Sequence, residues 1–369
     1  MRFIYAKFFL IICSLLACED KVQNPTPPIV NNSGTIKVIQ DEFQGRALVI
    51  AGSKASNFIV SFESVLDGDS LMFEALSGSF PIVMQDTEGT KWNIFGEGVD
   101  GPRSGAQLIS TQATMSYWFA LPAFFEQIEL YNDPDGSIVS TFPDGTEEWA
   151  IPIDYIFQGA GKDAILALID PDFLTFRAGD ENGFYLDDED LIIGVKIGDQ
   201  IRAYPHKILD WHEIVNDAIG STAFALNYCP LTGTGFAWTR TLEGQITTFG
   251  VSGLLYNSNL IPYDRLTQSY WSQIKNQCVN GALKDKHTEG FALVETTWAT
   301  WKDMFDRPIV LTDETGSSRD YQQYPYGTYK VDNNVLYPMI NEDSRLPRKE
   351  RVHAVITGNK VKVYRFDSF

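Results

Sequence analysis

The sequence predicts a mainly β fold of the α+β class, built as two β-rich segments related by a degenerate internal repeat, with a few short helices. Short alternating apolar runs are the first reason. They occur at Ile36-Lys-Val-Ile39, Ala47-Leu-Val-Ile50, Phe58-Ile-Val-Ser-Phe62 and Leu71-Met-Phe73, and again beyond residue 190. Period-two runs of this length between turn residues read as strands. The second reason is matched spacing. Trp118 stands 17 positions after Gly101 and Trp298 stands 17 after Gly281, with Phe125 and Phe305 each 7 further on. Trp92 and Trp271 precede the two glycines, so one plan is used twice. The third reason is size: 369 residues, 44% hydrophobic and 13% aromatic, can bury a large core and more than one domain.

In chain order, Met1-Arg2 and Lys7 precede an apolar run from Phe8 to Leu16, which is too short to span a bilayer as a helix. Leu15-Leu16-Ala17-Cys18 resembles a bacterial lipobox. Residues 1–17 are therefore expected to be a lipoprotein signal peptide, with Cys18 as the lipidated N-terminus anchoring the protein to a membrane. The implied location is the cell envelope, at the outer membrane or cell surface of a Gram-negative bacterium. Residues 18–35, with Pro25, Pro27 and Pro28 among polar residues, hold too little apolar surface to pack and read as a tether. Residues 36–150 form the first β-rich repeat, with a helix expected at Met115–Phe125, and residues 151–369 the second.

Leu191–Ile197 and Gln200–Tyr204 read as a hairpin turned at Gly198-Asp199. Pro205 then suits the start of a helix through Ile208, Leu209, Trp211, His212, Ile214 and Val215, with His212 facing inward. Asn227-Tyr-Cys-Pro-Leu-Thr-Gly-Thr-Gly235 follows a strand and turns tightly, placing Cys229 at the rim of the turn. A last hairpin is expected around Gly358-Asn359, and His287 and His353 read as solvated surface residues. The net charge of −19 argues against nucleic acid as a partner. Among four cysteines, Cys13 falls in the signal peptide and Cys18 at its cut. Cys229 and Cys278 remain, which excludes a disulfide-rich scaffold. No Gly-rich phosphate loop, Gly-x-Ser-x-Gly or His-Glu-x-x-His occurs, so nucleotide, α/β-hydrolase and zincin chemistry lack support.

Ala203-Tyr-Pro205, Trp211-His-Glu-Ile-Val-Asn-Asp217, Tyr228-Cys-Pro-Leu-Thr-Gly-Thr234 and Phe249–Asn257 form one set with Tyr263-Asp-Arg265, Trp271-Ser-Gln273, Thr296-Thr-Trp298 and Arg319-Asp-Tyr321. Together they closely resemble a bacterial family catalogued as domain of unknown function 3179, over residues 160–365. The resemblance implies no activity. Many relatives carry Cys-Pro-Leu-Cys in the turn where this chain has Cys229-Pro-Leu-Thr232, and Cys278 is inferred to take the missing thiol's place. A Cys229–Cys278 disulfide or thiol pair follows, suited to redox exchange, or to soft-metal binding of copper or zinc with His212 as a third ligand. A catalytic Cys229 nucleophile with His212 as base is the alternative, and a non-catalytic surface module with a structural disulfide is another. Arg265, Trp271 and Arg319 are ligand-binding candidates, the arginines for an anion or carboxylate.

Replacing Cys18 by alanine is expected to leave the precursor uncut and unlipidated, as read by mass spectrometry of the membrane fraction. A trimmed, lipid-free protein released from wild-type cells would overturn the lipobox reading.

Overall fold

The structure, a computed structural model, describes residues 34–133, 136–177, 179–181 and 183–369. The expected signal peptide, Cys18 and nearly all of the expected tether lie outside the described residues. About 43% of the chain is strand and 8% helix, arranged as a six-bladed β-propeller. The expectation of a two-segment α+β repeat is thereby overturned: the strands partition into six sheets of three to five strands, beside two short two-stranded ribbons.

Blade 1 joins Lys37–Phe43, Arg46–Ser53 and Phe58–Glu63. Blade 2 holds four strands from Phe73 to Asp100. Blade 3 begins with Ala113–Tyr117, but its next two strands, Arg351–Thr357 and Lys360–Arg365, come from the end of the chain. Gln127–Leu130 and Ser137–Val139 complete it. Blade 4 runs through Phe249–Tyr256, Asn259–Asp264, Tyr270–Ser272 and Gln277–Asn280, with Ile156–Gln158 at its edge. Blade 5 contains Ile214–Ile219, Thr222–Cys229 and Thr234–Thr239. Blade 6 orders Leu293–Thr297, Leu191–Ile197, Gln200–Pro205, Ile309–Leu311 and Phe173–Thr175.

The matched spacings have a physical cause at the level of blades. In blade 2 the Trp92 Nε1 donates to Asp86 Oδ2 at 2.9 Å, and in blade 4 Trp271 Nε1 donates to Asp264 Oδ2 at 3.0 Å. Trp118 and Trp298 each open a helix directly after the first strand of blades 3 and 6. A β-rich stretch ending at residue 150 could not close its own third blade, because the middle strands of that blade are residues 351–365. The described residues belong to one compact unit.

Local chemistry decides the remaining departures. The expected helix at Met115–Phe125 is the strand Ala113–Tyr117 followed by a 3-10 helix, Trp118–Ala123, with Pro122 inside it. Helix α1 spans His206–His212 and stops at Glu213, so Ile214 and Val215 belong to a strand instead. Both hairpins read from the sequence form as expected. The largest core cluster holds Trp118, Trp238 and Trp271 with Cys229 and Cys278, and a second holds Trp92, Trp298 and Trp301.

Gly281 takes φ +104°, and a Cβ there would stand 2.7 Å from Ser269 Oγ and 2.8 Å from Ser269 Cα. Replacing it by alanine is expected to cost roughly 2 kcal/mol or more of stability in urea unfolding. Gly358→Ala has open space at φ +58° and should cost about 1 kcal/mol. Equal costs would remove the close-approach argument.

Candidate functional site

Cys229 ends its strand in blade 5, and Pro230-Leu-Thr-Gly233 turns the chain into the next one. Gly233 N donates to the Cys229 carbonyl at 2.8 Å. Gly233 adopts φ +62°, and a Cβ there would press to 3.3 Å on the Tyr117 ring; only glycine meets both demands without strain. The thiol is buried, and Sγ donates to Ser258 O at 3.6 Å. Burial pushes the Cys229 thiol up, and the nearby Glu213 carboxylate raises it further. The Thr232 hydroxyl and the backbone amides of Thr232 and Leu260 favour the thiolate and pull the other way.

Glu213 ends α1 with φ 56° and ψ −36°. A non-glycine residue held at positive φ stores strain that the surrounding structure must impose. Burial raises its carboxyl to about 7, although Tyr326 OH donates to Oε1 at 3.2 Å and works against the rise. A carboxylic acid poised near neutral pH beside a thiol is the chemistry a proton carrier needs.

Further polar groups surround this pair. His206 packs its ring 4.4 Å from Tyr228, and its Nε2 lies 3.7 Å from Glu295 Oε1. Burial would raise Glu295, but His206 and Arg351, the latter at 2.5 Å, hold it below the usual range. Burial raises Asp210 against the pull of Lys330, whose Nζ is 2.7 Å away. The cluster leaves three buried polar atoms with no hydrogen-bond partner: His206 Nε2, Asp210 Oδ1 and Tyr324 OH. Native interiors leave few such atoms, and those they leave call for an explanation.

A strap covers the cluster. Between Leu311 and Arg351 the chain forms no strand or helix. Irregular segments this long in a compact fold are uncommon and are usually functional. Tyr324, Tyr326 and Tyr329 descend from it, and Tyr329 OH donates to Leu231 O at 2.9 Å, in the Cys229 turn. Lys330 lies 4.2 Å over the Tyr324 ring and Lys349 3.3 Å over Tyr329.

The residues singled out from the sequence each have their own partners. Cys229 and Cys278 are both free and buried. Cys278 lies in blade 4, its Sγ donating to Asn280 O at 3.4 Å, and burial pushes its thiol up to about 11. His212 faces inward as expected, but both ring nitrogens are engaged: Nδ1 with Leu166 O at 2.7 Å and Nε2 with Tyr321 OH at 2.6 Å. Among the described residues no three His, Cys, Asp or Glu side chains form a set able to hold a metal. Arg265 pairs with Asp163 at 2.8 Å, Trp271 is the buried partner of Asp264, and exposed Arg319 lies 5.0 Å over the Trp211 ring. Thr232 bonds to Thr234 Oγ1 at 2.8 Å and accepts from Asn259 at 2.9 Å, within a buried network that includes Gln273. Glu213, His206, Glu295 and Tyr329 were missed by the sequence reading, while Tyr324 and Tyr326 were read as an aromatic-lined loop. The signal for Glu213 was its place beside His212, where a helix running on to Val215 had been expected.

A family model described as "Protein of unknown function (DUF3179)" matches residues 27–128 and 162–369. The match takes in blades 1 and 2, which the resemblance read from the sequence left outside the family. No curated protein and no solved structure matches the chain.

Glu213 ionises at about 7 in the folded protein, against 4.5 for an unperturbed glutamate. The folded state holds that proton more tightly, so the associated stability is full below pH 4.5 and is lost as pH rises through 7. Glu213→Gln, which stays neutral, is expected to gain on the parent by roughly 3 kcal/mol at about pH 9, and by little at about pH 5. Urea unfolding of both proteins across that range checks it; a difference independent of pH would sink the assignment.

Proposed function

We propose that this chain, which belongs to the family of proteins of unknown function DUF3179, is an envelope lipoprotein that uses Cys229 as a nucleophile, with Glu213 as its proton acceptor and donor. One observation carries the reading: a strained, buried glutamate with a carboxyl near pH 7 lies close enough to the thiol to shift it. A thiol pushed up by burial is neutral at rest, so it becomes nucleophilic only as its proton leaves. Glu213 in its ionised form takes that proton while Sγ forms a bond to an electrophilic carbon, most simply an acyl carbon. The same carboxyl then returns the proton to the departing group. The Thr232 and Leu260 amides and the Thr232 hydroxyl support the developing thiolate. Access requires the 312–350 strap to move, since Cys229 is 1% exposed.

His212, the base expected from the sequence, has both nitrogens committed to Leu166 and Tyr321, so the proton role passes to its neighbour. The thiol-pair and soft-metal readings would need Cys278 or His212 beside Cys229, and each has separate partners. The lipid anchor at Cys18 would hold the propeller at the envelope, joined through the tether.

Iodoacetamide labelling, mapped by peptide mass, tests the reading. Labelling of Cys229 is expected to rise with pH through about 7. Glu213→Gln should slow it about tenfold or more and remove that inflection, whereas His212→Asn should leave both unchanged. A Cys229 that stays unlabelled in the native protein at every pH, or a rate indifferent to Glu213→Gln, would end the proposal.

A further inference from the structure

A second site lies away from Cys229. A cavity of about 850 Å³ is lined by strand residues of blades 1, 3, 5 and 6 and by turn residues such as Phe95 and Asn276, with Ser61, Thr111, Trp238, Phe291 and His353 among the lining. The volume is in the range of small-molecule sites. Its mouth is exposed at Gln107, Gly198 and Asp199, and its inner wall is buried at Ser61, Thr111, Trp238 and His353.

His353 was read from the sequence as solvated. It is 5% exposed, because the strand Arg351–Thr357 is an inner member of blade 3. His353 Nε2 meets Ser61 Oγ at 2.8 Å, and Ser61 Oγ meets Thr111 Oγ1 at 2.6 Å. Two buried donors or acceptors in the lining have no partner: His353 Nδ1 and Trp238 Nε1. Burial holds His353 down to about 4, so the imidazole is neutral at physiological pH. The lining's opposite charges at Lys196 and Glu97 are bonded to each other. Among the described residues the lining thus offers aromatic faces, hydroxyls, amides, a neutral imidazole and the Asp199 carboxylate at the mouth, and no cation without a carboxylate partner.

We propose that this cavity binds an uncharged, polyhydroxylated ligand, a sugar or glycoside. Hydroxyl groups that both donate and accept match the serine, threonine and amide groups of the lining. The apolar C–H face of a pyranose suits the aromatic wall. A chain of net charge −19 disfavours anions in the same place. The site is independent of the Cys229 proposal, as the two share no residue.

The test titrates methyl glycosides of glucose, galactose, mannose and N-acetylglucosamine into the intact protein, reading calorimetry and tryptophan fluorescence. At least one is expected to bind saturably with a Kd of about 1 mM or tighter. Ser61→Val should weaken that ligand about tenfold. Gly290→Trp adds bulk at the wall where a Cβ would meet only Ala237 O at 3.7 Å, and should abolish binding with the fold retained by circular dichroism. Cys229→Ala should bind as the parent does. Absence of saturable binding for all four sugars, or binding unchanged in both cavity variants, would overturn the proposal.

Discussion

Everything in this fold depends on the pairing of Ala113–Tyr117 with Arg351–Thr357, which closes the ring with the end of the chain. Blade 3 has no middle without residues 351–365, so it cannot complete itself before the last strands arrive. The closing strand also bears on both candidate sites. Arg351, at its start, holds Glu295 of blade 6 and bonds Asn57 at the edge of blade 1 at 2.9 Å. His353, two residues on, binds Ser61 of blade 1 from the cavity side. A single strand therefore sets the polar cluster at one place and the cavity wall at another.

The two buried polar environments near the Cys229 turn differ in how well they are satisfied. Thr232, Thr234, Asn259 and Gln273 bond to one another and to backbone carbonyls, giving a network that fixes the turn. A buried network of this kind rigidifies what it touches when its members are satisfied. On the other side of Cys229, His206, Asp210 and Tyr324 each keep an unpartnered atom, and Glu213 has one hydrogen bond from a strap tyrosine. An orphaned buried polar group costs about 1–3 kcal/mol. The turn network keeps one such atom of its own, Asn227 Oδ1, against three in the cluster under the strap, so more of this cost falls where the strap packs.

Strands, hairpins and inward-facing His212 were legible because alternation and turn residues are local signals. The matched Trp–Gly spacing was legible too, but it marked blades, and the ring they build depends on pairing between residues more than two hundred positions apart. Nothing in a window of sequence announces that Arg351–Thr357 will lie beside Ala113–Tyr117. The placing of Cys229 at the end of a strand was legible because the turn that follows it needs proline and glycine. Glu213 was hidden by the helical period around it. Its positive φ breaks α1 one residue after His212, and this rotates the glutamate toward the thiol while His212 turns to Leu166 and Tyr321. His353 was misread for a related reason, since alternation in Val352-His-Ala-Val-Ile356 says that faces differ without saying that both are buried.

The position of Thr232 has a consequence for the chemistry. A second thiol there would share the backbone amides that now serve Cys229 alone, and the pair could trade electrons. With a threonine, the hydroxyl joins the satisfied network and also favours the Cys229 thiolate. The turn keeps the features that stabilise a negative sulfur and loses the partner for a disulfide. What remains is a single thiol whose charge state is governed by burial and by one carboxyl near neutral pH. Since burial opposes both the thiolate and the carboxylate, it favours the fully protonated pair, and the Glu213 carboxyl is the first of the two to lose its proton as pH rises through about 7. Water admitted by a movement of the strap would lower both, since it removes the burial that raises them.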